Sequence, residues 1–407
     1  MAGKLSSAEL MELEEHYGAH NYHPLPVVLA RGEGAKVWDV EGKEYFDFLS
    51  AYSAVNQGHC HPAVVGALID QAKTLTLTSR AFFNDQLGPY EKFITEYFGY
   101  DKVLPMNSGA EADETALKLC RKWAYLRKGI KENQAKIIVC EGNFHGRTIT
   151  IVSMSNDPES YKDYGPFTPG FVAIPYNDLD ALQEALKDPD VAGFILEPIQ
   201  GEAGVFVPDE GYLAKAYAMC KEKNVLFIAD EVQTGIARTG KLLACDHEGV
   251  RPDILILGKA LSGGVMPVSA VLADNDIMLT IKPGEHGSTF GGNPMAARVA
   301  VAALTVVKEE KLAERAEALG QIFREEMRNI NSEMIELVRG KGLLNAVVIR
   351  PKNGKEAWDV CVEMAKNGLL AKPTHQHIIR FAPPLVISEE ELRAAIEIIR
   401  KSILAFE

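Results

Sequence analysis

Two apolar runs that end in charge constrain this chain more than any other feature. Val225-Leu226-Phe227-Ile228-Ala229 leads into Asp230-Glu231-Val232-Gln233, and Ile254-Leu255-Ile256-Leu257 leads through Gly258 to Lys259. Neither run alternates apolar with polar residues. Each therefore reads as a strand buried on both faces, the pattern of a parallel sheet covered by helices. Comparable stretches lie at 102–106, 137–140, 193–196 and 268–272, with helical patterns at 180–187 and 211–223 between some of them. After Gly109, apolar residues recur at helical spacing: Ala112, Ala116, Leu117, Cys120, Trp123 and Ala124. The alternation predicts an α/β fold with a mostly parallel sheet and helices on both faces.

A chain of 407 residues is long for one core. The N-terminal part reads as a helix, an extended arm and a hairpin turning at Gly42. Beyond Gly291-Gly292-Asn293-Pro294 the pattern changes to a long helical region reaching Asn331. Short strands follow at 344–349 and 378–381, then a terminal helix from Glu389. The expected organisation is an N-terminal arm and hairpin (1–49) that belongs to the small domain, a large domain (50–292) and a small α+β C-terminal domain (293–407).

Net charge is −13, which argues against nucleic acid as a partner. No apolar stretch reaches the ~18 residues of a membrane span, and Met1–Leu10 has neither the apolar run of a secretory signal nor the charge of a transit peptide. Cys60, Cys120, Cys140, Cys220, Cys245 and Cys361 form no CxxC pair, so reduced thiols and a cytoplasmic location are expected. Gly58-His59-Cys60-His61-Pro62 contains metal-ligand residue types, but the spacing is too tight for a tetrahedral site and no metal is expected.

Open α/β sheets carry their chemistry at the C-terminal ends of their strands. A lysine and an aspartate ending consecutive strands there suit pyridoxal 5'-phosphate: Lys259 would bond its aldehyde, and Asp230 would pair with its pyridine nitrogen. Asn107-Ser108-Gly109-Ala110-Glu111 opens a helix after a strand, which offers free backbone N–H groups to a phosphate. The loop Gly284–Gly292, with Ser288 and Thr289, would complete the phosphate cup or simply connect domains. Arg147 and Arg380 sit in segments where a guanidinium needs a carboxylate partner. Glu202, in Glu197-Pro198-Ile199-Gln200-Gly201-Glu202, is available to one of them, either as a core ion pair or in substrate recognition.

Ala54-Val55-Asn56-Gln57-Gly58-His59-Cys60-His61-Pro62, Glu197–Gly204, Ile228–Gly235, Leu257–Gly264, Lys282–Gly292 and Lys341–Ala346 together resemble the class III (subgroup II) pyridoxal-phosphate aminotransferases, most closely the branch that uses ornithine. The likeness spans nearly the whole chain. It implies a fold-type I transferase with a seven-stranded sheet, and a homodimer with active sites at the interface. By the same resemblance Lys259 and Asp230 are catalytic, Phe144 and Val232 sandwich the cofactor ring, and Gln233 meets its phenolic oxygen. Ser108, Gly109 and Ala110 hold the phosphate, with Ser288 and Thr289, the latter from the other subunit. Tyr22, Tyr52 and Arg147 receive L-ornithine. Glu202 pairs with Arg380 until Arg380 takes the α-carboxylate of 2-oxoglutarate. The implied products are L-glutamate 5-semialdehyde and L-glutamate. N-acetylornithine and 4-aminobutyrate are the alternative amino donors. His145 departs from some relatives and receives no role.

Overall fold

The computed structural model describes residues 5–407, so the first four positions of the expected N-terminal arm lie outside it. A seven-stranded sheet runs in the order Lys102–Met106, Ser269–Ala273, Ile254–Leu257, Leu226–Asp230, Val191–Leu196, Lys136–Cys140 and Phe171–Ile174. From Ile254–Leu257 to Phe171–Ile174 the strands are parallel, whereas Ser269–Ala273 is antiparallel to both its neighbours.

Burial explains the apolar runs. Every residue of Val191–Leu196, Leu226–Asp230, Ile254–Leu257 and Ser269–Ala273 is buried, because helices cover both faces. The Gly109–Trp123 helix buries Ala112, Ala116, Leu117 and Cys120 among sheet residues such as Ile137, Ile228 and Ile256. Each fully buried leucine or isoleucine side chain here contributes about 1.5–3 kcal/mol of transfer free energy. Asp230 is in register with Ile256, so Asp230 and Lys259 emerge at the same sheet end on adjacent strands.

Two smaller sheets flank the C-terminal part. One joins Leu29–Glu33, Lys36–Asp39, Glu44–Asp47 and the short strand Leu369–Leu370. The N-terminal hairpin, turning at Gly42 with φ +92°, thus shares a sheet with residues more than three hundred positions later. The other orders Ile335–Lys341, Leu344–Ile349, Ile378–Phe381 and Lys372–Thr374. The long helical region expected after Pro294 is two helices, Pro294–Glu309 and Leu312–Arg328. Lys311 separates them in a left-handed conformation (φ +52°) that no glycine or proline signals.

Arg238, fully buried, ties the halves together. It donates to Asn56 Oδ1 at 2.6 Å, to Leu343 O at 3.0 Å and to Pro383 O at 2.7 Å. Nearby, Gly320 allows the Leu312–Arg328 helix to touch the Gly342 turn, since a Cβ on Gly320 would stand 1.7 Å from Gly342 O. Gly320→Ala is therefore expected to destabilise the fold by about 1–3 kcal/mol, as overpacking does. A fall of at least ~2 °C in the thermal midpoint would register it; an unchanged midpoint would show that the helix has room to shift. Among the described residues, no helix is long and apolar enough to cross a membrane.

Candidate active site

Lys259 follows Gly258 directly after the Ile254–Leu257 strand and holds φ at +42°, a strained conformation for a residue with a Cβ. Its side chain lines a cavity of about 180 Å³ with Asp230, Gln233, Val232, Phe144, His145, Glu197, Gly109 and Ala110. Burial lowers the Lys259 pKa below the usual lysine value, and the charges of Asp230 and Glu202 offset this only in part.

Asp230 is 4% exposed. The Val232 N–H donates to its Oδ1 at 2.9 Å, and His145 Nδ1 lies 2.7 Å from its Oδ2. Val232 fits between two glycines, with Cβ positions on Gly109 and Gly258 only 3.0 and 3.1 Å from Val232 Cγ1. Larger residues at either glycine would push Val232 into the cavity.

At one end of the cavity the Gly109–Trp123 helix begins. Ser108 is its N-cap, with Oγ accepting from Glu111 N–H at 3.2 Å and Glu111 returning the bond in a capping box. Gly109 and Ala110, in the helix's first turn, have N–H groups beyond the reach of intrahelical acceptors. Ser288 is drawn to this corner: its Oγ accepts from Asn107 Nδ2 at 2.9 Å and from Gly291 N–H at 3.0 Å. Lys118 meets His286 at 2.9 Å and Lys122 pairs with Glu285, which braces the Gly284–Gly292 loop on the same helix. Thr289 is exposed and does not line its own chain's cavity.

Beyond the other end, Arg380 is 3% exposed and donates to Glu202 Oε2 at 2.7 Å and to Gly201 O at 3.2 Å. Its guanidinium stands 5.1 Å from the Tyr52 ring centroid. Burial alone would raise the Glu202 carboxyl, but the charge and hydrogen bond of Arg380 outweigh it and hold the group below its ordinary value. Of the two candidate arginines, Arg380 takes Glu202. Arg147 is exposed, lies 5.5 Å over the Phe144 ring and reaches Ser160 Oγ at 3.4 Å. Tyr22 is 74% exposed and does not line the cavity.

Three titratable cavity residues had no role in the sequence reading: His145, Glu197 and Asp113. Glu197 accepts the Phe144 N–H at 3.0 Å, and burial raises its pKa to about 7. Their partners lie tens of residues away in sequence, so no local spacing reveals them. His59 and His61 do not converge. They bond Asp47 at 2.7 Å and Glu310 at 2.9 Å, two separate carboxylates.

The donor set fits pyridoxal phosphate. A recessed amine shares a cavity with a buried carboxylate, Phe144 and Val232 line that cavity, and a helix N-terminus opens onto it. Fold and site together define an enzyme of the fold-type I pyridoxal-phosphate class. The description of aminotransferase class-III matches residues 17–403, and the chain belongs to that family, so it is a pyridoxal-phosphate-dependent aminotransferase. It is 62% identical over 404 residues to the mitochondrial ornithine aminotransferase of Rattus norvegicus, covering 99% of this chain and 92% of that protein. Among solved structures, the ornithine aminotransferase of Toxoplasma gondii, described with partial occupancy of PLP at its active site, superposes with a TM-score of 0.97. It is 54% identical, with 98% of this chain and 95% of that chain covered. A structure described as the acetylornithine aminotransferase of Elizabethkingia anophelis gives a TM-score of 0.91 at 61% identity, covering 99% of this chain and 100% of that one.

Proposed function

We propose that this aminotransferase moves the δ-amino group of L-ornithine to 2-oxoglutarate, yielding L-glutamate 5-semialdehyde, which cyclises to pyrroline-5-carboxylate, and L-glutamate. The observation that carries the reading is the buried Arg380 paired with Glu202 at 2.7 Å beside Tyr52. Bound pyridoxal phosphate supplies an aldehyde that takes up an amino group and a ring that accepts electrons from the reacting carbon. Lys259 Nζ, its charge disfavoured by burial, takes and returns the proton at that carbon. Asp230 faces the ring nitrogen, Phe144 and Val232 confine the ring, and Gln233 meets its phenolic oxygen. Ser108, Gly109, Ala110 and Ser288 hold the phosphate.

Arg147 and Tyr22, both open to solvent, receive the α-carboxylate and α-amino group of ornithine, and Tyr52 steers the δ-amino end inward. While ornithine reacts, Glu202 neutralises Arg380. When 2-oxoglutarate enters, Glu202 turns away and Arg380 grips the α-carboxylate. A movable carboxylate partner lets one buried cation serve both a basic and a diacidic substrate without being left unpaired.

The reading includes a homodimer whose partner contributes Thr289 to the phosphate cup. The exposed side chains of Phe82 (72%) and Phe83 (104%) support an interface with a second copy. Free thiols throughout support a reducing, cytoplasmic setting.

One observation favours a second reading: the Elizabethkingia relative is described as an acetylornithine enzyme. Comparing kcat/KM for ornithine, N-acetylornithine and 4-aminobutyrate separates them. Ornithine is expected to lead by about 100-fold or more, because a site that hydrogen-bonds a free α-amino group discriminates strongly against analogues without one. A preference for either competitor would overturn the substrate assignment.

A further inference from the structure

The turn that carries Glu202 leaves one sheet and is fastened to another. It follows the Val191–Leu196 strand of the seven-stranded sheet. It closes on itself through Gln200 and Phe206, whose main chains exchange hydrogen bonds at 3.1 and 2.9 Å. Inside it, Gly204 and Val205 hold φ at +121° and +57°. The second value is strained for a β-branched residue, so the surroundings must keep the turn in shape.

That support comes from the four-stranded sheet that carries Arg380. Arg339, on Ile335–Lys341, and Arg380, on Ile378–Phe381, both stand opposite Ala346 on the strand between them. Their side chains therefore share a face of the sheet. Arg339 gives its Nε and Nη2 hydrogens to Gly204 O at 2.9 and 2.8 Å, and its guanidinium lies 3.9 Å from the Phe206 ring centroid. Thr374 donates its hydroxyl to Glu202 O at 2.8 Å, and Arg380 reaches Gly201 O at 3.2 Å. Ile199 and Val205 pack with Leu344, Ala346 and Ala382. The approach is close, since a Cβ on Gly204 would stand 2.6 Å from Ile378 Cδ1.

The carbonyls of Gly201, Glu202 and Gly204 are thus tied to strands of the sheet that holds Arg380. The main chain of the turn and Arg380 share one frame. A Glu202 that leaves Arg380 and returns can do so by side-chain rotation about a fixed Cα. Arg339 makes the strongest of these ties, with two donors of a charged group on one oxygen. It does not line the cofactor cavity.

We propose that Arg339 is a positioning residue for substrate selection: by pinning Gly204 O it keeps the Glu202 carboxylate against Arg380 while the amino donor reacts. An amino acid whose carboxylate adjoins the reacting amine, such as L-glutamate, is thereby kept from Arg380 at that stage. This rests on the reading of Glu202 and Arg380 as a switch. Arg339 acts through the turn and touches neither substrate nor cofactor.

The test uses the full-length holoenzyme in its pyridoxal form, mixed rapidly with L-ornithine or with L-glutamate. The readout is the ratio of the two second-order rate constants, ornithine over glutamate. Arg339→Met keeps a stem over Phe206 but has no donor, and is expected to lower the ratio about 10-fold, the effect of one charged hydrogen bond. Ornithine is expected to react more slowly and glutamate faster, because Arg380 is less well covered. Arg339→Lys supplies one donor and is expected to keep the ratio within about 3-fold of the parent. Thr374→Val frees Glu202 O and is expected to lower the ratio about 3-fold, as loss of a neutral hydrogen bond does. It carries the test if Arg339→Met does not fold. Glu202→Gln, measured in parallel, is expected to exceed all of these in effect.

If Glu202→Gln lowers the ratio but Arg339→Met and Thr374→Val leave it at the parent value or slow both donors equally, the ties are only structural and the inference fails. It fails also if Arg339→Lys and Arg339→Met behave alike. If Glu202→Gln leaves the ratio unchanged, the switch reading fails with it.

Discussion

Lys259→Ala is expected to lower turnover with ornithine and 2-oxoglutarate by at least ~10⁴-fold, because one amine serves both as the cofactor's attachment and as the proton carrier. The thermal midpoint should stay within a few degrees. Among the described residues Lys259 Nζ makes no hydrogen bond that braces the fold, and burial already disfavours its charged form, so truncation mainly leaves space. The cofactor should still bind through its phosphate and ring, but the visible band that depends on the lysine bond should be absent. A small primary amine added from solution should return part of the activity, since it supplies the missing group without the missing tether. A variant that kept more than about one hundredth of parent turnover would remove Lys259 from the chemistry.

Arg380→Ala is expected to act on one half of the reaction. The guanidinium is buried, paired with Glu202 at 2.7 Å and backed by Gly201 O at 3.2 Å. Losing one partner of a charge pair whose guanidinium is buried costs on the order of 2–5 kcal/mol, with the partly exposed Glu202 placing this pair toward the lower end. Rapid-mixing measurements on each half separately should show the 2-oxoglutarate half slowed by on the order of 10²-fold. The ornithine half should slow less than ~10-fold, because there Arg380 only neutralises Glu202.

The substitution also changes the pH response. In the parent the Glu202 pKa lies below its ordinary value, so the pair's stabilisation is present above the ordinary carboxylate range and is lost as pH falls through the lowered value. In the variant burial acts unopposed by Arg380, the Glu202 carboxyl rises, and that acid-side dependence should disappear. Equal slowing of both halves would mean that Glu202 and Arg380 form a static ion pair rather than a switch.

The central sheet was legible in the sequence because full burial leaves an unbroken apolar run. Leu226–Asp230 and Ile254–Leu257 announce themselves, and the charged residue that ends each run marks the functional end of the sheet. The edge strand Phe171–Ile174 did not, since only its last residue is buried and four residues give too short a pattern. The same physics hid the Ile335–Lys341 strand, mostly half-exposed; the helix Ala357–Lys366 was missed although its buried Ala357, Val360, Cys361, Met364 and Ala365 recur at helical spacing. The break at Lys311 escaped because a lysine gives no warning of a left-handed conformation.

In the site, the Arg380–Glu202 pair was legible as a need: an arginine among apolar neighbours requires a carboxylate, although spacing alone did not choose between Arg147 and Arg380. His145 was not legible. Its partner is 85 residues away, and only the fold brings the two within 2.7 Å.

The most direct test of the central claim is borohydride reduction of the purified holoenzyme, followed by digestion and mass spectrometry. Reduction makes the cofactor's bond to its lysine permanent. The account predicts one modified peptide, containing Ile254-Leu255-Ile256-Leu257-Gly258-Lys259 with the added mass on Lys259. Added mass on a different lysine, or on none after incubation with pyridoxal phosphate, would contradict it.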